Sequence, residues 1–262
     1  MVDSNTKDIV IRAGQGTLSF LVTDGGGEQA FHPYAVKSGM SISANLRQAF
    51  KEVSYLAGGI DKAKLIVSSP VVLMPKEDFL ASKDLDVDDL YNSVLPGHKG
   101  EEKVVKEIAE LEAMALFAVN RDLQLVVTDN CRDYNIQNVM IPVWGHLYKK
   151  YYQFGQQRIL FAYFHDKVVD VFGFEKHRIR FANVFDATHA HDALYYMLFV
   201  WKQLNLNAKE DALFIVGNIP HHDWLLTRLQ SYLVNVHVID QNADLNRSQF
   251  APIKTMPFDM KL

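Results

Sequence analysis

The chain has 262 residues, 48% of them apolar and 22% charged, so it is long and apolar enough to bury a sizeable core and is not a disordered protein. A net charge of -4 and a pI near 6.2, with no long run of Lys or Arg, argue against nucleic acid as its partner. No apolar run reaches the roughly 20 residues of a membrane-spanning helix, and the first residues lack the apolar segment of a signal peptide. With Cys131 as its lone cysteine, the chain is expected to be cytoplasmic.

The chain begins with a pattern of strand, glycine turn and strand. Residues 8–14 and 17–24 are rich in apolar side chains and are separated by a turn with Gly14 and Gly16. The run 31–36 predicts a third strand, at an edge or with a bulge, because Pro33 cannot donate a ladder hydrogen bond. A helix capped by Ser41 or Ser43 and a strand over 64–68 complete the unit.

The segment 71–112 is less regular. Residues 71–74 are expected to be extended, 76–81 to form a short helix, and the acidic stretch 84–89 to be a solvated loop. For residues 101–112 the composition favours a helix while the apolar stripe is thin, so helix and strand both stay open.

The rest of the chain alternates between predicted strands and helices. The predicted strands are 113–119, 135–141, 158–164, 168–174, 179–185, 212–216 and 234–239. The predicted helices are 121–130, 143–152, 186–204 and 222–233. The tail from Gln241 is polar, with Pro252 and Pro257, and has no strong pattern.

The order of three-strand meander, helix, strand, helix, strand therefore occurs twice, from Ile9 and from Arg158. A repeat in the order of elements favours two mixed-sheet α/β lobes over one long sheet. The first lobe is expected over residues 1–154, with an irregular insertion at about 71–112. The second is expected over residues 155–262 and includes the polar C-terminal tail.

This duplicated order resembles the actin-like ATPase superfold, in which two ribonuclease-H-like lobes enclose a nucleotide cleft. The chain also looks like an uncharacterised bacterial family described as actin-like in fold. It is similar in plan to cytoplasmic actin-like components of type IV pilus and type II secretion machines. The resemblance extends over residues 8 to about 240, and it implies three nucleotide-contacting segments that can be compared one by one.

In active members of the superfold, the first strand ends in an Asp that serves the metal and water, and the turn amides hold phosphate. Here Arg12 stands near that Asp, whereas Gly14, Gly16 and Thr17 remain. Backbone amides could still approach a phosphate, and Arg12 could pair with an anion. A guanidinium cannot ligate Mg²⁺, which requires oxygen ligands.

The second and third segments follow the resemblance to different extents. The second hairpin has bulky residues in place of the expected acid and glycine turn, and its Asp166 comes too late for the usual role. The adenosine-contacting segment keeps its strand and Gly217, with Asn218 in the position of the second glycine.

Because two of the three segments lack the acid that phosphoryl transfer requires, we expect a catalytically inactive actin-like protein. It would act as a binding or scaffold module for a protein or peptide partner, with no catalytic residues and no cofactor favoured. The alternative is a protein that binds ATP with Mg²⁺, or hydrolyses it weakly, through Arg12, Gly14, Gly16, Thr17, Asp166, Gly217 and Asn218. The oligomeric state and the partner's identity stay open.

A second alternative is a metal-dependent hydrolase. Its ligands would come from 188–192 and 221–223, two His/Asp clusters that begin predicted helices, where capping explains the same residues. Cys131 is expected to be a small core residue. The aromatic residues Tyr195, Tyr196, Phe199 and Trp201 are expected in the core, whereas Tyr148, Tyr151, Tyr152 and Phe154 could mark a ligand surface or an interface.

Overall fold

A computed structural model describes residues 7–58, 60–82, 84–154, 158–175, 178–245, 248–250 and 253–262. The chain forms two compact units. The first contains Met1–Glu107 and Met114–Ile141, and the second contains Ile108–Ala113 and Pro142–Leu262. The domain limit between residues 154 and 155 stays a prediction.

The secondary-structure elements follow one another in the predicted α/β order. Those up to residue 138 are β1 Lys7–Gly14, β2 Thr17–Thr23, β3 Gln29–Tyr34, α1 Ile42–Glu52, β4 Ile60–Val67, β5 Val71–Pro75, α2 Lys76–Ala81, α3 Val87–Val94, β6 Glu102–Ile108, β7 Ala113–Val119, α4 Arg121–Asn130 and β8 Cys131–Asn138. Those that follow are α5 Met140–Tyr151, β9 Ile159–His165, β10 Val168–Glu175, β11 Arg178–Asp186, α6 Ala190–Gln203, β12 Ala212–Gly217, α7 His222–Gln230, β13 Asn235–Val238, α8 Gln241–Asp244 and α9 Phe258–Lys261.

The first unit is built on a five-stranded sheet of order β3-β2-β1-β4-β8. The first three strands form an antiparallel meander, and β4 and β8 join β1 in parallel. As predicted from Pro33, β3 lies at the edge. Ser41 caps α1 by accepting the Ala44 backbone N–H, and the helix buries Leu46 and Ala49 against the sheet core.

The irregular insertion contributes β5 and β6 to a three-stranded sheet of order β5-β7-β6, and it also contains α2 and α3. Residues 102–108, where helix and strand were both open, form β6, and a 3-10 turn follows over Ala109–Leu111. The prediction that 84–89 is a solvated loop is wrong in its second half. The Asp86 carboxylate accepts the Asp89 backbone N–H and so begins α3, which buries Tyr91.

The second unit repeats the first sheet strand for strand, in the order β11-β10-β9-β12-β13. Its first three strands are again an antiparallel meander, and β12 and β13 are again parallel additions. All residues of the central strand β9 are buried. Two sheets with one topology and different sequences confirm the predicted duplication of the ribonuclease-H-like plan.

Several predicted boundaries are wrong for a local reason. The strand expected over 135–141 is β8, which runs parallel to β4 from Cys131 and stops where the Asn138 side chain accepts the Met140 N–H to start α5. The helix expected from Asp186 begins at Ala190, because Asp186 still pairs with Val168 and its carboxylate accepts the Thr188 N–H.

The C-terminal tail was predicted to be polar and without pattern, yet its last turn is buried. In α9, Phe258 and Asp259 are 1% and 2% exposed, and the Asp259 carboxylate accepts a 2.7 Å hydrogen bond from the Tyr163 hydroxyl of β9. Pro252 lies outside the described residues. The end of the chain is thus part of the second unit's core.

Candidate functional site

The end of the first hairpin places the predicted phosphate-binding residues together. Gly14 pairs with Thr17 across the turn, and Gly16 within the turn has a φ of +75°, which favours glycine. Two strand positions before the turn, Arg12 pairs with Ser19 of β2 and Ile66 of β4. The hairpin therefore holds Arg12 in the middle of the sheet, between β2 and β4.

Arg12 is a buried cation that reaches toward the turn. It is 2% exposed, and its Nη1 donates to Thr17 Oγ1 at 3.3 Å. A guanidinium is always charged and has donors only, so it supplies no lone pair to a metal. Positive charge at this point repels Mg²⁺ and attracts anions.

The second hairpin turns at Asp166 and Lys167, which have φ values of +46° and +65°. Positive φ at both central residues is the geometry of the two-residue turn that matches the twist of the flanking strands. The predicted turn at His165–Lys167 is therefore present, and non-glycine residues adopt it. The bulky strand before it, Phe161–Phe164, is fully buried.

A buried histidine links Asp166 to the following strand. His165 Nδ1 lies 3.0 Å from Asp166 Oδ2, and His165 Nε2 lies 2.7 Å from Asp170 Oδ2. Burial alone lowers the pKa of His165, but hydrogen bonds and charge from the two carboxylates outweigh it and raise the pKa to about 9. His165 is therefore protonated at neutral pH, and it forms a triad with Asp166 and Asp170 in which Asp166 is engaged.

The sequence reasoning missed His165 and Asp170. The signal was available, since β10 pairs its Val168 with His165 and brings Asp170 back along the same hairpin. A histidine before a two-residue turn and an acid five residues later share one sheet face, where side chains alternate with a period of two.

Gly217 ends β12 with a φ of +103°, and a Cβ atom there would lie 2.1 Å from the Phe164 carbonyl oxygen. The next residue, Asn218, donates its backbone N–H to that same oxygen at 2.9 Å. This close approach of two backbones explains the glycine structurally. It also brings Gly217 and Asn218 to the end of β9 from which the Asp166 turn departs.

The structure thus divides the predicted site residues into two groups. Arg12, Gly14, Gly16 and Thr17 lie together in the first unit. Asp166, Gly217 and Asn218 lie at one end of the second unit's sheet.

The sequence profile of one protein family matches residues 2–236 of the chain. The chain belongs to the DUF3822 family, described as a protein of unknown function. No functionally curated protein matches it.

Two solved structures are similar over almost the whole chain. One is a Bacteroides thetaiotaomicron protein with an actin-like ATPase fold and unknown function. It has a TM-score of 0.78 and 20% identity, with 98% of this chain and 100% of that chain covered. The other belongs to the PilM–PilN type IV pilus biogenesis complex, with a TM-score of 0.59, 10% identity, and 97% and 95% covered. The actin-like ATPase fold predicted for this family member is confirmed.

The His/Asp clusters of the alternative hydrolase form no metal-binding group in the part of this DUF3822 protein that the structure describes. Among the described residues, no three His, Cys, Asp or Glu side chains are grouped to hold a metal ion. His189 is the N-cap residue of α6 and His221 that of α7, though neither side chain caps its helix. His222 instead contacts the adjacent Asp223 at 2.8 Å.

Two other predictions for single residues have different outcomes. Cys131 is buried, as expected, and burial raises the pKa of its thiol to about 11, so it is a poor nucleophile at neutral pH. The expectation that Tyr195 and Phe199 lie in the core is wrong, since they are 62% and 44% exposed, whereas Trp201 is buried. Within the described part of the chain, no helix has the length and apolarity to span a bilayer.

Proposed function

We propose that this DUF3822 protein is a catalytically inactive member of its fold that binds a protein or peptide partner in the cytoplasm. The observation that carries the proposal is the chemistry at the two hairpin ends. One holds a buried guanidinium, and the other holds a carboxylate that already contacts a buried imidazolium.

At the first hairpin, magnesium-assisted phosphoryl transfer would need an oxygen ligand where Arg12 is. The Arg12 guanidinium is 2% exposed, so a low local dielectric strengthens its repulsion of a divalent cation. The Arg12 guanidinium also donates a hydrogen bond to Thr17 Oγ1 at 3.3 Å, so it contacts a residue of the predicted phosphate-binding turn.

At the second hairpin, Asp166 is the acid available to replace the missing one. Its side chain is 2% exposed and contacts His165 at 3.0 Å. Recruiting this carboxylate to a metal would break its contact with the His165 imidazolium and would cost part of the triad's stabilisation. The triad therefore favours a structural role for Asp166.

The insertion at residues 71–112 is the proposed partner surface. Its sheet β5-β7-β6 carries α2 and α3, and each helix exposes a large apolar residue: Leu80 is 65% exposed and Val94 is 55% exposed. Exposed apolar side chains on short helices are suited to contacts with another chain. The similar PilM structure is that of a complex with PilN, which supports partner binding by analogy.

Hydrolysis is tested by steady-state ATP turnover of the purified protein with Mg²⁺. We expect no rate above that of buffer alone. Turnover that requires Mg²⁺ and disappears in Asp166→Ala would contradict the proposal, since that acid would then have taken over the metal role.

Partner binding is tested by quantitative co-purification from the source cells. Leu80→Asp and Val94→Asp are expected to deplete a specific partner, because each places a charge in an apolar contact. Leu125→Asp is the matched control, since Leu125 on α4 is also 55% exposed but lies outside the insertion. Equal recovery of the partner with all three variants would mean that the partner surface lies outside the insertion.

Nucleotide binding without hydrolysis is the second candidate. It is favoured by the first turn, where Gln15 and Gly16 are exposed and Gly16 has the positive φ typical of anion-binding backbone turns. Titration calorimetry with ATP in EDTA and in Mg²⁺ distinguishes the two candidates. Heat that saturates under both conditions supports nucleotide binding, and no heat supports a partner-binding protein that does not bind nucleotide.

A further inference from the structure

The last strand of the second meander, β11, is a long sheet edge. It has nine residues, pairs with β10 on one side and ends the sheet on the other. None of its residues is buried, in contrast to β9, where all are. An edge of this length offers a row of backbone donors and acceptors to another strand.

One hydrogen bond shows which way the edge groups point. The Val184 backbone N–H donates to the side-chain oxygen of its neighbour Asn183 at 2.9 Å. This N–H therefore points away from β10, although Val184 is paired in register with Asp170. By strand alternation, the backbone groups of Ala182 point the same way.

The equivalent edge of the first sheet carries a feature that β11 lacks. There β3 contains Pro33, which removes a donor and blunts the edge. On the far side of the second sheet, β13 has only four residues. Pro33 and a short strand both discourage edge-to-edge pairing, and β11 has neither. Its pairing with β10 shifts register between Gly173 and Phe174, near the start of β11, and is regular from Phe181 to Asp186.

An aromatic strip begins at this edge and runs along α6. Phe185 stacks on Tyr196 at 4.6 Å between ring centroids, Tyr196 meets Tyr195 at 5.3 Å, and Tyr195 stacks on Phe199 at 6.0 Å. Tyr195 and Phe199 are the exposed pair that sequence analysis had placed in the core. The strip extends the edge into an apolar surface on the helix side of the sheet.

The charges of β11 are complementary to those of a second β11. Arg178 and Arg180 stand at its start and Asp186 at its end, and all three are exposed, with the small Ala182 midway. An antiparallel copy centred on Ala182 would bring the arginine end of each strand beside the aspartate end of the other. Opposite charges across a strand pair stabilise it, whereas an unrelated peptide has no built-in match.

We propose that β11 is a self-association surface, on which a second copy of this chain adds its own β11 in antiparallel orientation with the aromatic strips flanking the seam. The surface lies in the second unit and is independent of the insertion proposed to bind a partner. Asn183 protects the Val184 N–H in the free protein and releases it when the second strand arrives.

Sedimentation equilibrium of the full chain tests this surface. We expect wild type to dimerise reversibly. Arg178→Asp and Asp186→Lys should each raise the dimer dissociation constant by about tenfold or more, since like charges then face each other at both ends. The double variant Arg178→Asp/Asp186→Lys restores the opposite charges and should recover most of the affinity. Lys209→Asp, an exposed charge reversal before β12, is the matched control.

A backbone variant makes the test independent of charge. Val184→Pro removes an N–H that faces away from β10, so it should abolish the dimer while thermal melting shows an intact fold. A wild type that stays monomeric up to its solubility limit overturns the proposal. A dimer that survives both the single charge reversals and Val184→Pro overturns it as well, because the contact then lies elsewhere.

Discussion

At the scale of single residues, Gly217 is fixed by two independent constraints, its φ of +103° and the Phe164 carbonyl where a Cβ would lie. Gly217→Ala should therefore lower the free energy of unfolding by about 3 kcal/mol, from backbone strain and displacement of β12 from β9. Gly16→Ala is the control, because Gly16 has positive φ but open space around its Cβ position, and it should cost about 1 kcal/mol. Urea unfolding measures both. Equal effects would show that the close approach to Phe164 contributes nothing.

His165 makes stability depend on pH. Its pKa is about 9 in the folded chain and near 6.5 in the unfolded chain, so the folded state binds the proton more tightly. The stabilisation is complete below pH 6.5 and is lost as pH rises through 9, by roughly 3 kcal/mol for a shift of this size. The free energy of unfolding of wild type should fall across this window.

The matched variant for this prediction is His165→Gln, which has no titrating group. Its free energy of unfolding should be lower than that of wild type at pH 6, with a much smaller slope between pH 6.5 and 9. A wild-type slope that His165→Gln reproduces would assign the pH dependence to other groups.

At the scale of elements, most strands and helices are predictable because their apolar spacing is strong and local. The meanders and α1 follow directly from it, since each needs only its own residues to reveal which face is buried. The predictions fail where pairing with a strand distant in the sequence determines the local structure. Residues 131–134 are polar and become strand only through pairing with β4, and β6 forms beside β7 despite helix-favouring composition.

The candidate site was predictable to the same extent. The resemblance to the superfold placed Arg12 near the position of an acid, and this comparison needs only the position along one strand. It did not indicate the His165 triad, because Asp170 meets His165 only after the hairpin folds. Exposure of Tyr195 was also hidden, since an aromatic residue on an apolar helix is normally buried.

The short C-terminal helix α9 is an element whose contribution can be measured. Phe258 is 1% exposed and contacts the rings of His146 and Tyr163. Phe258→Ala should lower the free energy of unfolding by about 3–4 kcal/mol through loss of buried aromatic contact. Tyr163→Phe removes one hydrogen bond to the buried Asp259 and should cost about 1–3 kcal/mol.

The control for α9 is Leu262→Ala. Leu262, the residue after α9, is 40% exposed and should change stability by less than about 0.5 kcal/mol. If Phe258→Ala were equally neutral, the end of the chain would not belong to the core of the second unit.

At the scale of the whole molecule, the two five-stranded sheets have the same strand order, but the ends of their first hairpins carry different charged residues. The first hairpin carries the cation Arg12, and the second carries the triad of His165 with Asp166 and Asp170. The resemblance to the superfold leads us to expect an acid at each hairpin of an active ATPase. A protein that only binds a partner can lose these acids and keep its fold, because the fold depends on the apolar strands and not on the acids.

The change in Tm on addition of nucleotide tests whether any part of the chain binds ATP. A ligand present at about 100 times its dissociation constant adds about 2.7 kcal/mol to the free energy of unfolding, which for units of this size raises Tm by roughly 5–10 °C. We expect millimolar ATP with Mg²⁺ to leave Tm unchanged, because Arg12 repels the metal and Asp166 is held by His165. Thr17→Ala is the control variant. A Tm increase in wild type that is absent in Thr17→Ala would mean that the first turn binds the nucleotide. That result would contradict the expectation that ATP does not bind.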